Sequence, residues 1–195
     1  MIRYESFIKN KNVIFVGPSP IIIGKNFGEY IDSFDVVIRT GCGFPVQDCL
    51  QKDYGTRCDS LYVNAKFVKN YYDKRKKLFE NTDLKYITHK KIIYPENKIK
   101  NITYRIWGGF DNKLHFVKFT GLYIIEEMIK FKAKSLIITG VDFYENKKKY
   151  IDGYVTNYIN DEDKSLKIHK HNAQNVYIKN LINKHNNIII KNDRH

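Results

Sequence analysis

Ser135-Leu136-Ile137-Ile138-Thr139-Gly140 runs straight into Val141-Asp142-Phe143-Tyr144, and Tyr150 follows six residues after Tyr144. A short apolar run that stops at a glycine is the pattern of a fully buried strand. In open α/β sheets, ligands bind just outside the carboxyl ends of such strands. Asp142, Tyr144 and Tyr150 are therefore placed where a ligand edge presents its polar groups. Phenol hydroxyls donate hydrogen bonds to a phosphate without adding a permanent charge. The chain holds 15 tyrosines, so ordinary strand-end aromatics are the competing reading of this stretch taken alone.

Outward from this run, the pattern alternates strands and helices. Residues 12–17 read as a first buried strand that closes in Gly17-Pro18-Ser19-Pro20. A short helix is expected within 24–31, strands over 35–39 and 59–64, and a polar amphipathic helix over 66–80. Ile92–Tyr94 and 102–107 read as short strands around a proline-containing loop. Residues 120–131 carry helical spacing with Thr120 as N-cap, and 136–141 form the next strand. A last helix over 172–184 turns Val176, Ile178, Leu181 and Ile182 inward, and a last strand covers 187–191. The expected fold is α/β: a single Rossmann-like domain over 1–195, its mostly parallel sheet covered by helices on both faces.

Five places meet the rule for ligand edges. They are Gly17-Pro18-Ser19, Arg39-Thr40-Gly41, Asn64, the stretch from Gly140 to Tyr144, and the helix start at Thr120-Gly121. The last qualifies because free backbone N–H groups and the helix dipole favour anions. The first turn is not a Walker phosphate loop: Ser19 stands where its first glycine belongs, and Asn26 follows Gly24-Lys25 in place of Ser or Thr. No Gly-x-Gly-x-x-Gly, metal-ligand spacing, Asp-x-Asp of the sort that carries a metal ion, or Gly-x-Ser-x-Gly is present, and no cofactor is expected. Asp161-Glu162-Asp163 reads as a polar loop.

Composition sets broad limits. At 195 residues with 43% apolar and 28% charged side chains, the chain is of ordinary globular make-up. No stretch nears the roughly 18 apolar residues that span a bilayer, and no signal core follows Met1. A soluble cytoplasmic protein, at most peripheral to a membrane, is expected. Cys42, Cys49 and Cys58 are odd in number and read as buried free thiols. The net charge of +13 raises nucleic-acid binding as an alternative, but the basic residues are scattered and read first as solvated surface. Such a field also attracts an anionic small substrate. Among the six histidines, His89, His115, His185 and His195 read as surface residues. His169 and His171 precede the last helix, where an imidazole reaches a strand-edge cleft as a general base.

In order, these pieces resemble the sialyltransferases. Gly17-Pro18-Ser19-Pro20, Gly24, Gly28-Glu29, Ile31-Asp32 and 35–39 are similar to the large sialyl motif of glycosyltransferase family 29, continued by 53–58. Thr120-Gly121-Leu122-Tyr123 resembles the small sialyl motif. The second half is similar to the compact bacterial enzymes of family 42, with Thr120-Gly121, the stretch from Gly140 to Tyr144, and Tyr150 at matching spacing. Tyr62-Val63-Asn64 resembles that family's nucleotide-contacting strand end.

The resemblance implies a GT-A-like sialyltransferase variant, metal-independent and inverting, with CMP-sialic acid as donor and a glycan hydroxyl as acceptor. Gly17, Pro18, Ser19, Thr40, Gly41, Asn64, Thr120, Gly121 and Asp142 fall at its substrate-binding positions. Tyr144 and Tyr150 fall where the leaving phosphate is held, and His169, with His171 as runner-up, where the base stands. Pro18 and Gly41 replace family asparagines, Gln174 replaces an acid, and Lys118 is the nearest basic residue to a family arginine. No cysteine follows Cys58 to form the animal enzymes' inter-motif disulfide. A catalytically impaired nucleotide- or glycan-binding protein of the same fold is the alternative that Pro18 and Gly41 raise.

Overall fold

The computed structural model describes residues 3–64, 67, 72–90, 98–107, 118–143, 150–152, 154 and 171–193. Seven strands form one sheet: β1 (Asn12–Val16), β2 (Val36–Thr40), β3 (Ser60–Val63), β4 (Tyr86–Lys90), β5 (Thr103–Trp107), β6 (Ser135–Thr139) and β7 (Ile188–Ile190). Their order is β5-β4-β3-β2-β1-β6-β7, and every neighbouring pair is parallel. The described helices are α1 (Tyr4–Ile8), α2 (Gly28–Asp32), α3 (Gln51–Tyr54), α4 (Tyr72–Phe79), α5 (Thr120–Lys130) and α6 (His171–Lys184). None of the described helices is long and apolar enough to cross a membrane.

Parallel strands are buried on both faces, which is why they read as continuous apolar runs. Alternation divides each run between two layers. Val13, Phe15, Val36, Ile38, Leu136 and Ile138 face Tyr4 and Ile8 of α1, Leu122 and Ile125 of α5, and Ile178 of α6. Ile14, Val16, Val37 and Ile137 face Ile31 of α2 and Tyr54 of α3. Leu61, Val63 and Ile87 face Tyr72 and Phe79 of α4. The expected parallel Rossmann-like sheet with helices on both faces is thus present.

Several local expectations are overturned. β4 was not anticipated, because Tyr86-Ile87-Thr88-His89-Lys90 mixes polar and apolar residues. Thr88 and His89 are nonetheless fully buried between β3 and β5, and Arg105 Nη1 donates to Thr88 Oγ1 at 3.3 Å. His89 is therefore a core residue and not a surface one. Ile92–Tyr94, His115 and His195 lie outside the described residues, as do 161–163. Thr120 is the first helical residue; Phe119 is the N-cap, extended at φ −79° and ψ 162°, with no side-chain cap. Val176 points outward at 59% exposure, whereas Ile178 is buried and Leu181 and Ile182 are packed on the core. Of the three free thiols, Cys42 and Cys58 are buried and Cys49 is exposed.

Candidate functional site

The strand order reverses at β1, whose neighbours are β2 and β6. Such a switch point opens a crevice at the carboxyl ends of the two strands that diverge from it. Register brings Val16 level with Arg39 and Thr139, so Gly17, Gly41 and Gly140 share that edge. Two glycines close the seam. Gly17 N–H donates to Thr139 O, and Ser19 N–H donates to Gly140 O, both at 2.8 Å. A Cβ on Gly17 would stand 2.4 Å from Gly140 O; one on Gly140, at φ +61°, would stand 2.6 Å from Gly17 O. Neither position has room for a side chain.

Two asparagines then fix the path of the chain towards Tyr144. Asn192 Oδ1 accepts from Gly140 N–H, and Asn192 Nδ2 donates to Val141 O, both at 3.0 Å. Asn175 Nδ2, on α6, donates to Phe143 O at 3.0 Å. Phe143 is held in the left-handed region at φ +52°, a conformation that costs a non-glycine residue of order 1 kcal/mol or more unless its surroundings enforce it. Asp142 is buried within this loop. Tyr144 itself lies outside the described residues.

The start of α5 is seated against β1. A Cβ on Gly121 would come within 3.1 Å of Phe15 Cε1 and 3.0 Å of Phe119 Cε2, so glycine allows the close approach. The Phe119 N–H donates to Oε1 of Gln174, a fully buried residue of α6, at 2.9 Å. Gln174 thereby supplies an acceptor to the N-cap residue of α5, and ties α6 to it. Lys118, just ahead, is buried with its ammonium 2.8 Å from both Glu126 carboxylate oxygens. Its charge is neutralised there.

A second set lies over the end of β2. Tyr154 OH donates to Thr40 O and also lies against Thr40 Oγ1, both at 3.1 Å. A Cβ on Gly41, at φ +47°, would meet the Tyr154 oxygen at 3.0 Å. Tyr150 stacks on Tyr154 with ring centroids 5.2 Å apart and planes 14° apart. Between them, Ile151 N–H donates to Pro18 O at 2.8 Å, and Gln47 Nε2 donates to Asp152 O at 2.8 Å. Residues 150–152 and Tyr154 therefore lie across the ends of β1 and β2. Beside them is a small cleft, with Gly17, Pro18, Arg39, Cys42, Gln47 and Ile151 in its lining.

Arg39 is 2% exposed and directed at the backbone, with Nε on Arg57 O at 2.7 Å and Nη2 on Tyr54 O at 2.6 Å. Burial pulls its pKa down from the ordinary arginine value. Burial also raises the Cys42 thiol, with Arg75 opposing that rise. Ser19 is 2% exposed, and its Oγ has no hydrogen-bond partner among the described residues. Asn64 sits exposed at the end of β3, where its Oδ1 accepts from Phe67 N–H at 2.8 Å.

Among the sequence-chosen residues, Gly17, Pro18, Ser19, Thr40, Gly41, Asp142 and Tyr150 thus gather at the switch point. Thr120 and Gly121 adjoin it through Phe15, and Asn64 lies on the same edge beyond β2. His169 lies outside the described residues, and His171 begins α6. Asn175, Asn192 and Tyr154 went unnoticed in the sequence, and Gln174 was noticed only as a replaced acid, since each works through a partner distant along the chain. Among the described residues, no group of three or more His, Cys, Asp or Glu side chains is placed to hold a metal ion.

No protein-family model and no curated protein matches the chain. Solved structures do. A mammalian sialyltransferase aligns at TM-score 0.62 with 15% identity, over 95% of this chain and 70% of that one. A mammalian sialyltransferase in complex with Gal-beta-1-3GalNAc-ortho-nitrophenol aligns at TM-score 0.64 with 15% identity, over 97% and 72% respectively. The fold is the sialyltransferase variety of the Rossmann-like parallel sheet. At this identity, the likeness speaks for the fold.

Proposed function

We propose that the chain, acting as one nucleotide-sugar-binding domain over 1–195, transfers sialic acid from CMP-sialic acid to a glycan hydroxyl with inversion and without a metal. The observation that carries this reading is the glycine seam Gly17–Gly140 at the switch point of a sialyltransferase-type fold, with the Thr120-Gly121 helix start alongside. Gly17, Ser19, Asn64, Thr120 and Gly121 would hold CMP and the donor sugar. Tyr144 and Tyr150 would donate to the phosphate, whose charge rises as the anomeric bond breaks; such donors stabilise the transition state more than the ground state. His169, or His171, would take the proton of the attacking hydroxyl as its oxygen bonds to the anomeric carbon. CMP-sialic acid turnover by the wild type, His169→Ala and His171→Ala tests the reading. Loss of about 100-fold or more in one variant is expected; full activity in both rejects the histidine base.

One observation favours a second reading, binding without turnover. The Tyr154 hydroxyl already engages Thr40 beside Gly41, so a group chosen for the nucleotide has a protein partner. Calorimetry with CMP, alongside a transfer assay, separates the two: binding with no transfer or hydrolysis selects the second. Stabilisation against heat by CMP over uridine, guanosine and adenosine nucleotides, unchanged by EDTA, would support the donor class and metal independence.

A further inference from the structure

All seven strands run in one direction, so segments leading into them meet at a leading rim and segments leaving them meet at a trailing rim, where the crevice lies. Asn64 and the Thr120-Gly121 helix start belong to different elements of that crevice. β3, β2 and β1 are consecutive in the sheet, so the end of β3 lies two strand spacings, about 10 Å, from the end of β1. Gly121 seats α5 against Phe15 of β1. A ligand held at once by Asn64 and by the α5 start needs that gap kept constant, because a group about 1 Å out of place no longer meets its partner.

One side chain touches the supports of both. Trp107 ends β5 and is 3% exposed. Register pairs it with Lys90, and pairs Val63 with His89, so Trp107 stands level with Asn64 across β4. Its indole Nε1–H reaches back over the end of β4 to donate to Val63 O at 3.3 Å, the carbonyl of the peptide bond into Asn64. The ring meets Tyr123, in the first turn of α5, edge-on, with centroids 4.2 Å apart and planes 82° apart. It meets Tyr62 of β3 at 6.4 Å and 67°. A purely apolar ring would fill the same space, whereas the N–H gives the contact a direction. Nearer the leading rim, the β3–α5 interface has ties of its own. Glu127 of α5 accepts from Tyr62 OH and from both Arg105 amino groups, and Tyr4 OH joins Ser60 Oγ at 3.0 Å and Tyr62 OH at 3.1 Å.

We propose that Trp107 is a positioning residue that fixes the spacing between Asn64 and the Thr120-Gly121 helix start, so that one nucleotide-sized ligand meets both. It acts through Val63 O and Tyr123. The spacing itself rests on the contacts of the indole; the ligand rests on the donor reading given above. Trp107→Phe keeps an aromatic face towards Tyr123 but removes the Nε1–H, which leaves the buried Val63 O one donor short.

Amide hydrogen exchange on the full chain tests the spacing without any ligand. The Phe67 N–H is donated to Asn64 Oδ1 at 2.8 Å, and the Leu122 N–H to Phe119 O at 3.1 Å. Both should exchange about fivefold faster in Trp107→Phe. The Gly140 N–H, held by Asn192, should change by less than about twofold. Tyr4→Phe also removes a buried polar group, but from the leading half of β3, and should leave Phe67 and Leu122 within about twofold of the wild type. Calorimetry should then find CMP bound about tenfold more weakly by Trp107→Phe and less than about twofold more weakly by Tyr4→Phe. Unchanged exchange at Phe67 in Trp107→Phe, equal acceleration by Tyr4→Phe, or equal loss of CMP affinity in the two variants each overturn the proposal. The expected exchange pattern with no CMP binding by the wild type supports the spacing role and rejects the donor reading. If Trp107→Phe fails to fold, Tyr123→Leu, which withdraws the ring and leaves the indole N–H, must accelerate both amides; unchanged exchange overturns the proposal.

Discussion

The two rims of the sheet are made of different materials. At the trailing rim the contacts around the crevice are uncharged: the seam of Gly17 and Gly140, the amides of Asn175 and Asn192, and the Tyr154 hydroxyl on Thr40. The leading rim is fixed by carboxylates. Asp32 accepts from Thr56 N–H and Oγ1, each at 2.8 Å, and from Arg57 N–H at 3.0 Å. Asp59 accepts from Val37 N–H at 2.9 Å and pairs with Arg57 and Lys85. Around the seam the contacts are neutral donors and acceptors, and Arg39 and Asp142 are the buried charged side chains beside them. Charges that hold loops stand at the far end.

The sharpest way to break this contrast is Gly140→Ala. It forces a side chain into a left-handed position against Gly17 O, and should cost about 3 kcal/mol or more by urea unfolding. A loss under about 1 kcal/mol would mean the seam has room to yield. Asp59→Ala removes the acceptor of a buried N–H and of two cations, and should cost about 2–4 kcal/mol. Thiol chemistry samples both rims. Cys58 is pushed up to about 12 by burial, against the pull of Arg39, while Cys49 is exposed. Since the thiolate is the nucleophile, native-state alkylation followed by mass spectrometry should label Cys49 about 100-fold faster than Cys58.

Asn192→Ala should cost about 1–3 kcal/mol. Asn192→Asp, which keeps the acceptor for Gly140 N–H but loses the donor to Val141 O, should lie between it and the wild type. Equal costs for both substitutions would show that only the donor matters. Lys11→Gln at the leading rim should change stability by less than about 0.5 kcal/mol. A larger loss would place that lysine in the scaffold and out of the free surface.

Legibility in the sequence followed the same division. Strands β1, β2, β3 and β6 were readable because strands buried on both faces are continuously apolar, and β5 and β7 were read as well, although β7 leaves Ile189 and Ile190 exposed. β4 was not, because Thr88 and His89 become core only once β3 and β5 flank them. Val176 satisfied helical spacing yet faces outward, since periodicity defines a stripe and leaves open which edge of it the sheet covers. Thr120 had the chemistry of an N-cap, but the N-cap position falls to Phe119, whose N–H is taken by Gln174 from α6. Of the candidate site, the glycine turns and strand ends were visible as local punctuation. The groups that aim them, Asn175, Asn192 and Tyr154, act across 32, 51 and 114 residues of chain.

The sequence by itself determined the alternation of apolar runs and glycine stops, and hence a parallel sheet whose strands β1 and β6 end at Gly17 and Gly140. Burial and backbone conformation are local demands, and residues announce them where they stand. Only the tertiary structure decided which charges face one another. Lys11 and Lys134, far apart in the chain, lie in adjacent segments because β1 pairs with β6. Asn192 reaches Gly140 because β7 lies beside β6. Electrostatics and side-chain hydrogen bonds depend on distance in space, and the linear order of residues does not contain it.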